Sequence, residues 1–316
     1  MVKKTVLVTG GSGYIGARLC LHLAHQGYKV TALCHSMVPD HARWVSEIDQ
    51  VIVGDIRDEE FLSELAKQQF DILIHLVSLD HNQSNAAPSK VSSVNVTPVW
   101  SLLDAFSKQG LKNFIYFSTA QVYGPLKNEK VTELTTPNTQ TAYALTHQIG
   151  EVICEHYNRI SATDCRVIRL SNSYGAPIFK NNNCWWLVIN DLCKMAYLQR
   201  EIVLQSDGTP LRDFIHGDDV CSAVQLIIET SEPNITYNIS SGTTLSIMEI
   251  AQKIKKVFLE RYNLDLPITA KKSANSLKPV RYKLDNSLVR SLGFELKWSL
   301  EAGINDLFDF LEINDE

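Results

Sequence analysis

The residues with the clearest chemical potential in this chain of 316 lie in three short stretches. In Thr5-Val6-Leu7-Val8-Thr9-Gly10-Gly11-Ser12-Gly13-Tyr14-Ile15-Gly16, glycines 10, 13 and 16 are spaced GxxGxxG. Glycine lacks Cβ, so the backbone there can turn tightly and approach a pyrophosphate closely. The N–H groups and dipole of a following helix would face the phosphate charge, and the third glycine lets that helix sit close on the strand. The second stretch is Ser118-Thr119, at the end of an apolar run. The third is Tyr143-Ala144-Leu145-Thr146-His147, inside a helical pattern over 141–159. Residues four apart share a helical face, so the phenol and the imidazole point the same way.

These stretches need elements to hold them. The pattern predicts strands at 5–9, 29–34, 51–55, 71–76, 113–118 and 165–170. Between them it predicts helices at 17–26, 58–69, 91–109 and 141–159, with a polar loop at 81–88. Strand and helix alternating in this way make βαβ units, hence an α/β fold of Rossmann type with a doubly wound parallel sheet. In such sheets ligands lie at the carboxyl ends of the strands, where Gly10, Asp55, Ser78 and Ser118-Thr119 fall. Beyond 170 the alternation loosens. Helices are expected at 187–198, 220–230, 247–262 and 285–292, and a strand at 237–239 returns to the sheet. The expected division is a dinucleotide-binding unit of 1–174 with 216–241, and a smaller, discontinuous substrate-binding domain of 175–215 with 242–316.

Composition limits the function classes. A hydrophobic content of 45% fits a globular protein with a sizeable core. The net charge of -5, without a basic run, argues against a nucleic-acid partner. No apolar run approaches a membrane span and no signal-peptide pattern opens the chain, so no membrane partner and a cytoplasmic location are expected. The cysteines number seven, an odd count without CxxC pairs, which points to reduced thiols, no disulfides and no metal site. Cys184, Cys193 and Cys221 read as apolar fillers and His75 as structural. His81 and His216 have no metal-ligand spacing around them. Trp185 and Trp186 line either a pocket or the core of the second domain.

At the end of the second strand, an Asp or Glu would hold the adenosine ribose hydroxyls of NAD. The chain has Cys34-His35-Ser36 instead. His35, Ser36 and Arg43 suit a 2′-phosphate, which tilts the cofactor towards NADP and leaves NAD open.

Taken in order, the glycine stretch, Gly54-Asp55, His75-Leu76, Asn95, Phe117-Ser118-Thr119-Ala120-Gln121-Val122-Tyr123-Gly124, Tyr143, Arg169-Leu170-Ser171-Asn172-Ser173-Tyr174-Gly175 and Arg212-Asp213-Phe214-Ile215-His216 resemble the extended short-chain dehydrogenase/reductases. More narrowly, they resemble the nucleotide-sugar epimerase/dehydratase family, and the resemblance covers essentially the whole chain. It implies an enzyme that transfers hydride between NAD or NADP and a nucleoside-diphosphate sugar. Thr119 would hydrogen-bond the reacting oxygen and Tyr143 would be the general acid/base. Gly10, Gly13, Tyr14, Ile15, Gly16, His35, Ser36, Asp55, Ile56, Leu76 and Ser78 would hold the cofactor together with Tyr143 and His147. Asn172, Arg212 and Arg281, the last in Pro279-Val280-Arg281-Tyr282, would hold the substrate's nucleotide and pyrophosphate. Arginine suits that role because its planar fork grips phosphate oxygens in pairs. The resemblance also implies a homodimer, built on the Asn95 and Tyr143 helices.

Two departures matter. The family's tyrosine is normally followed four residues later by lysine, which holds the nicotinamide ribose and favours the tyrosinate; here His147 stands in that place. Free tyrosine titrates near 10. A unit charge about 5 Å away, at an effective dielectric of roughly 20, is worth about 3 kcal/mol, or around two pKa units. Histidine is mostly neutral at pH 7, so it can donate to a ribose hydroxyl but assists ionisation weakly. Three readings follow: histidine replaces lysine in a working enzyme, the reading we favour; a different acid/base pair operates; or the fold binds nucleotide without catalysis. A reductase tolerates histidine best, because its tyrosine gives up a proton. The second departure is Ala120-Gln121, where 4,6-dehydratases carry Asp-Glu. Neither residue ionises, which disfavours dehydration. The expected reaction is 4-keto reduction or 4-oxidation, with 4-epimerisation as the alternative.

Overall fold

The computed structural model describes residues 3–126, 130–232, 235–271 and 281–314. Its centre is a seven-stranded parallel sheet. In spatial order the strands are Thr236–Ile239, Asp164–Leu170, Asn113–Thr119, Ile72–His75, Thr5–Thr9, Lys29–Cys34 and Gln50–Val53. Side chains alternate across the sheet. Val6, Val8, Ile72, Ile74, Ile115 and Phe117 pack against Tyr14–His25 and Gly217–Glu229 on one face. Leu7, Leu73, Phe114 and Tyr116 pack with Glu59–Ala66, Thr97–Ser107 and Ala142–Ile160 on the other. Apolar burial on both faces is what a doubly wound parallel sheet requires. A third core joins helices Val188–Gln199, Ile247–Tyr262 and Leu300–Ile313. It lies beside a small three-stranded sheet of Thr244–Ser246, Leu211–His216 and Asn172–Tyr174.

The strand order reverses between Thr5–Thr9 and Ile72–His75, which makes this the switch point where ligands bind in such folds. The glycine turn sits there. Gly10 adopts φ +72°, a conformation open to glycine without strain. A Cβ on Gly16 would lie 2.1 Å from the Gly10 carbonyl oxygen, so the helix can approach the turn this closely only without one.

Three expected elements differ, and one long helix was not expected. Residues 81–88 were expected to form a loop; His81–Ala86 is a helix. Asp80 accepts from the Gln83 N–H while Gln83 returns a bond to the Asp80 N–H, and this capping box stabilises a helix start that composition alone reads as polar loop. The single helix over 91–109 is two, Pro88–Asn95 and Thr97–Ser107. Pro98 has no N–H to continue the ladder, so the chain breaks at Val96 and restarts with proline in the first turn. The helix expected over 285–292 shortens to Ser287–Ser291. Leu300–Ile313, not anticipated, is capped by Ser299 and buries Ile304, Leu307, Phe308 and Leu311 along one face.

Gly16→Ala should lower the free energy of unfolding by about 1–3 kcal/mol, the usual range for a forced extra carbon, and weaken dinucleotide binding. Urea titration and calorimetry read the two effects; a variant as stable as the parent would show that the turn can widen freely.

Candidate active site

A cleft of about 450 Å³ opens at the carboxyl ends of four strands. Its walls are Gly10, Ser12 and Gly13 of the first turn, Leu33 to His35 after the second strand, Gly54 to Arg57 after the third, and Leu76 to Leu79 with Val94. Gly13 is the N-cap of helix Tyr14–His25 and no side chain caps it. The first helical N–H groups therefore keep their capacity for an anion. A Cβ on Gly13 would sit 3.1 Å from the Gly10 carbonyl oxygen. A dinucleotide pyrophosphate fits this cradle.

Of the expected cofactor residues, Gly10, Gly13, His35, Asp55, Ile56, Leu76 and Ser78 line the cleft. Tyr14 does not present its hydroxyl there: it is bonded to the Gly175 carbonyl at 3.0 Å, and burial raises its pKa. Ile15 packs on the core and Gly16 acts through its missing Cβ. Ser36 is exposed and outside the cleft walls. Arg43 pairs with Glu47 at 2.7 Å and does not line the cleft, whereas Arg57 does. Arg57 grips Asp55, with His35 3.5 Å away, and the Arg57 hydrogen bonds hold that carboxylate well below its ordinary pKa. The cation two residues beyond Asp55 was a signal in the sequence that went unused.

Asn95 connects this cleft to the reactive group. Its Oδ1 accepts from the Leu79 N–H at 2.8 Å and its Nδ2 donates to Thr146 Oγ1 at 3.1 Å. Thr146 belongs to helix Ala142–Ile160, whose N-cap is Thr141. On that helix the rings of Tyr143 and His147 meet edge to face, 4.5 Å between centroids. Thr119, at the end of its strand, hydrogen-bonds the Tyr143 phenol. Burial pushes that phenol up to about 12; the Thr119 bond opposes the rise and the Asp80 carboxylate adds to it. His147 is 3% exposed. Burial pulls it down to about 4, against a smaller opposing effect of the Phe117 carbonyl. The imidazole is therefore neutral at pH 7. His147 Nδ1 lies 3.3 Å from the Tyr116 hydroxyl, and Nε2 is buried without a hydrogen-bond partner. An orphaned ring nitrogen beside the phenol fits a polar cofactor group. Directly after Thr119, Ala120–Tyr123 forms a 3₁₀ turn, and its first two residues, Ala120 and Gln121, carry no carboxylate.

One helical turn beyond His147, Glu151 anchors this helix to the sheet. It accepts from Ser118 Oγ at 2.5 Å and from Arg169 Nη2 at 2.7 Å. Arg169 also donates to the Tyr123 hydroxyl at 3.1 Å, which in turn donates to Asn238 Oδ1 at 2.7 Å. Both members of the ion pair are buried, and their remaining polar atoms are bonded, as such pairs require.

The expected substrate residues gather on the small sheet. Asn172 donates to the Asp213 carbonyl at 2.9 Å. Arg212 is exposed, pairs in register with Leu245 and bonds its neighbour's carbonyl at Leu211. Arg281 reaches the Thr244 carbonyl at 2.8 Å and the Glu249 carboxylate. Pro279 and Val280 lie outside the described residues. Trp185 packs on Phe310, whereas Trp186 is exposed. His216 stacks on Trp298, and His75 bonds Thr9 at 2.7 Å. All the cysteines are buried and free, and no metal-binding cluster occurs among the described residues. No described helix is long and apolar enough to cross a membrane.

A glycine turn at the switch point, joined through Asn95 to a half-buried tyrosine, defines a dinucleotide-dependent protein of the short-chain dehydrogenase/reductase type. The pattern of the NAD dependent epimerase/dehydratase family matches residues 6–240, and the chain belongs to that family. It is therefore an NAD-dependent enzyme. Over 318 residues it is 25% identical to the low-salt glycan biosynthesis protein Agl12 of Haloferax volcanii, covering 98% of this chain and 99% of the relative. It is 26% identical to dTDP-glucose 4,6-dehydratase of Streptomyces antibioticus, covering 98% and 92%. It is 25% identical to UDP-glucose 4-epimerase of Bacillus subtilis, covering 80% and 81%. The fold superimposes on a Thermotoga maritima UDP-glucose 4-epimerase determined with UDP-glucose, at TM-score 0.85 and 23% identity over 99% of this chain and 100% of the other.

The depressed His147 has a consequence for stability. An unfolded histidine binds its proton near pH 6.5, the buried one only near 4. Below pH 6.5 the unfolded state binds more protons, so stability drains away as pH falls from 6.5 to 4, by on the order of 3 kcal/mol from this group. His147→Gln should show a shallower acid loss in urea titrations across that window. Parallel curves for the two proteins would contradict a buried, neutral His147.

Proposed function

We propose that this enzyme reduces a 4-keto nucleoside-diphosphate sugar, with NADH as the hydride source. The observation that carries this reading is the pairing of a phenol pushed up to about 12 with a neutral imidazole. Without a fixed positive charge beside it, Tyr143 resists ionisation. It is suited to giving a proton to an oxygen that becomes negative, and poorly suited to taking one away. In this reading, Thr119 orients the C4 oxygen and Tyr143 delivers the proton it acquires. His147 contributes a hydrogen bond to the cofactor and no charge. The cofactor, held by the glycine turn and the Leu33–Leu79 walls of the cleft, supplies the hydride when bound. Asn172, Arg212 and Arg281 hold the nucleotide and its pyrophosphate; for Arg281 this means leaving Glu249 for a phosphate. Dehydration is disfavoured because Ala120 and Gln121 can neither give nor accept the protons that eliminating water requires.

A second reading is 4-epimerisation, in which Tyr143 acts as base and then as acid. Two observations favour it: relatives in the family carry that activity in their names, and Asn182 latches over the cofactor turn. Its Nδ2 donates to the Ser12 carbonyl at 2.9 Å, and nearby Phe179 sits edge-on to Trp44. A latched turn suits a cofactor that stays bound through successive turnovers.

We further propose a homodimer. Leu145, Ile149 and Val152 form an exposed apolar stripe on the Tyr143 helix, with Trp100 exposed on the neighbouring one. Apolar surface of this kind calls for a partner, and a second copy offers a matching stripe. Val152→Glu should shift the sedimentation of the protein from dimer to monomer. A parent protein that already sediments as a monomer would exclude the dimer.

NADH and a UDP-4-keto-hexose should react with loss of NADH absorbance, giving one reduced sugar by NMR. Interconversion of UDP-glucose and its 4-epimer without NADH consumption would replace reduction by epimerisation. Tyr143→Phe should slow turnover by at least about a hundredfold while leaving NAD affinity near the parent value. Undiminished turnover would remove Tyr143 from the mechanism.

A further inference from the structure

We infer that Tyr116 is a positioning residue that holds His147 as its Nε2–H tautomer, so that the ring nitrogen left without a protein partner is a donor for a hydroxyl of the cofactor. The inference rests on the reading above, in which the cofactor lies beside Tyr143 and His147.

The geometry that carries it is local. Tyr116 comes from the strand Asn113–Thr119 and is buried beneath the Tyr143 helix. Room for its hydroxyl exists because residue 150 is glycine: a Cβ there would lie 2.3 Å from the Tyr116 oxygen. The hydroxyl meets His147 Nδ1 at 3.3 Å, its one hydrogen-bond partner among the described residues. His75 stacks near the Tyr116 ring with its Nδ1 bonded to Thr9 at 2.7 Å and its Nε2 buried, and neither nitrogen bonds the Tyr116 hydroxyl.

A neutral imidazole has one N–H and one lone pair, and a phenol has one proton. Were His147 protonated at Nδ1, Tyr116 would have to accept. Its own proton would then be buried without an acceptor, and the Nε2 lone pair would be buried without a donor. With Tyr116 donating to Nδ1, a single group is left over, the Nε2–H. The second arrangement strands fewer buried polar groups, each of which is unfavourable. A lysine in this place would present donors whichever way it turned. Histidine presents a donor at one nitrogen only, and in the wrong tautomer it would turn a lone pair towards the oxygens of a ribose. Tyr116 is thus the residue that makes histidine usable at position 147.

The test uses the full-length protein with ¹⁵N-labelled histidine. Long-range nitrogen–proton NMR distinguishes a protonated from an unprotonated ring nitrogen, and His147→Gln assigns the signal. The parent protein should show Nε2 protonated and Nδ1 bare. Tyr116→Phe should give a mixture of tautomers and weaken NAD about tenfold by calorimetry, the loss of one hydrogen bond's worth of ordering. In a His147→Lys background, Tyr116→Phe should weaken NAD no further, because lysine needs no such fixing. A parent spectrum with Nδ1 protonated overturns the inference, as does an equal loss of affinity in both backgrounds, which would mark Tyr116 as packing alone. The parent spectrum decides the tautomer even where a variant fails to fold. It does so without any sugar substrate, so failure of the proposed reduction is read separately.

Discussion

Desolvation of one helical face governs this enzyme. The face of helix Ala142–Ile160 that carries Tyr143, His147 and Glu151 packs over the strand Asn113–Thr119, with His147 and Glu151 buried and Tyr143 half-buried. Three ionisable groups therefore meet three different outcomes. Glu151 keeps a guanidinium partner and stays paired. His147 has no ionic partner and is held neutral. Tyr143 keeps its proton to higher pH than a free phenol. Loss of solvent, more than any single contact, sets the protonation of Tyr143 and His147.

That face stays in place because the sheet beneath it is tied to the helix by polar bonds that need one another. Ser118, Glu151, Arg169, Tyr123 and Asn238 connect the helix with three adjacent strands. At the other end of the site, absent side chains do the comparable work. Gly16 lets the first helix touch its turn, Gly11 gives way to Ala32, and Gly150 leaves space for the Tyr116 hydroxyl. Asn95 spans the gap between these two halves, with one end on the cofactor cleft and the other on the Tyr143 helix. The glycine turn and the Tyr143 phenol are thereby held in one frame, which is what a site must do to bring two groups to bear on one bound molecule.

The sequence alone determined whatever depends on local periodicity and on residue type. Alternating apolar strands with a glycine-rich first turn require a parallel sheet and a dinucleotide site, and four-residue spacing puts Tyr143 and His147 on one face. Residue type also made Ala120 and Gln121 incapable of proton exchange, and the loss of the lysine charge was visible at His147. Some of what went unread was written locally. Asp80 and Gln83 form a capping box, Pro98 interrupts a helix, and Ser299 precedes apolar positions 304, 307, 308 and 311.

What only the tertiary structure decided depends on distance through space. No spacing brings Tyr116 to His147 across 31 residues, nor puts Asn172 and Arg212 on one small sheet with Arg281 reaching its Thr244 carbonyl. Arg57 lines the cleft and Arg43 does not, because the segment after the third strand enters the cleft whereas Arg43 sits on helix Ala42–Glu47 and pairs with Glu47. Above all, the protonation of His147 was open in the sequence, since an exposed imidazole beside a cofactor could have been charged. Burial decided it: a pKa depends on how much water and which partners surround a group, and those are properties of the folded chain.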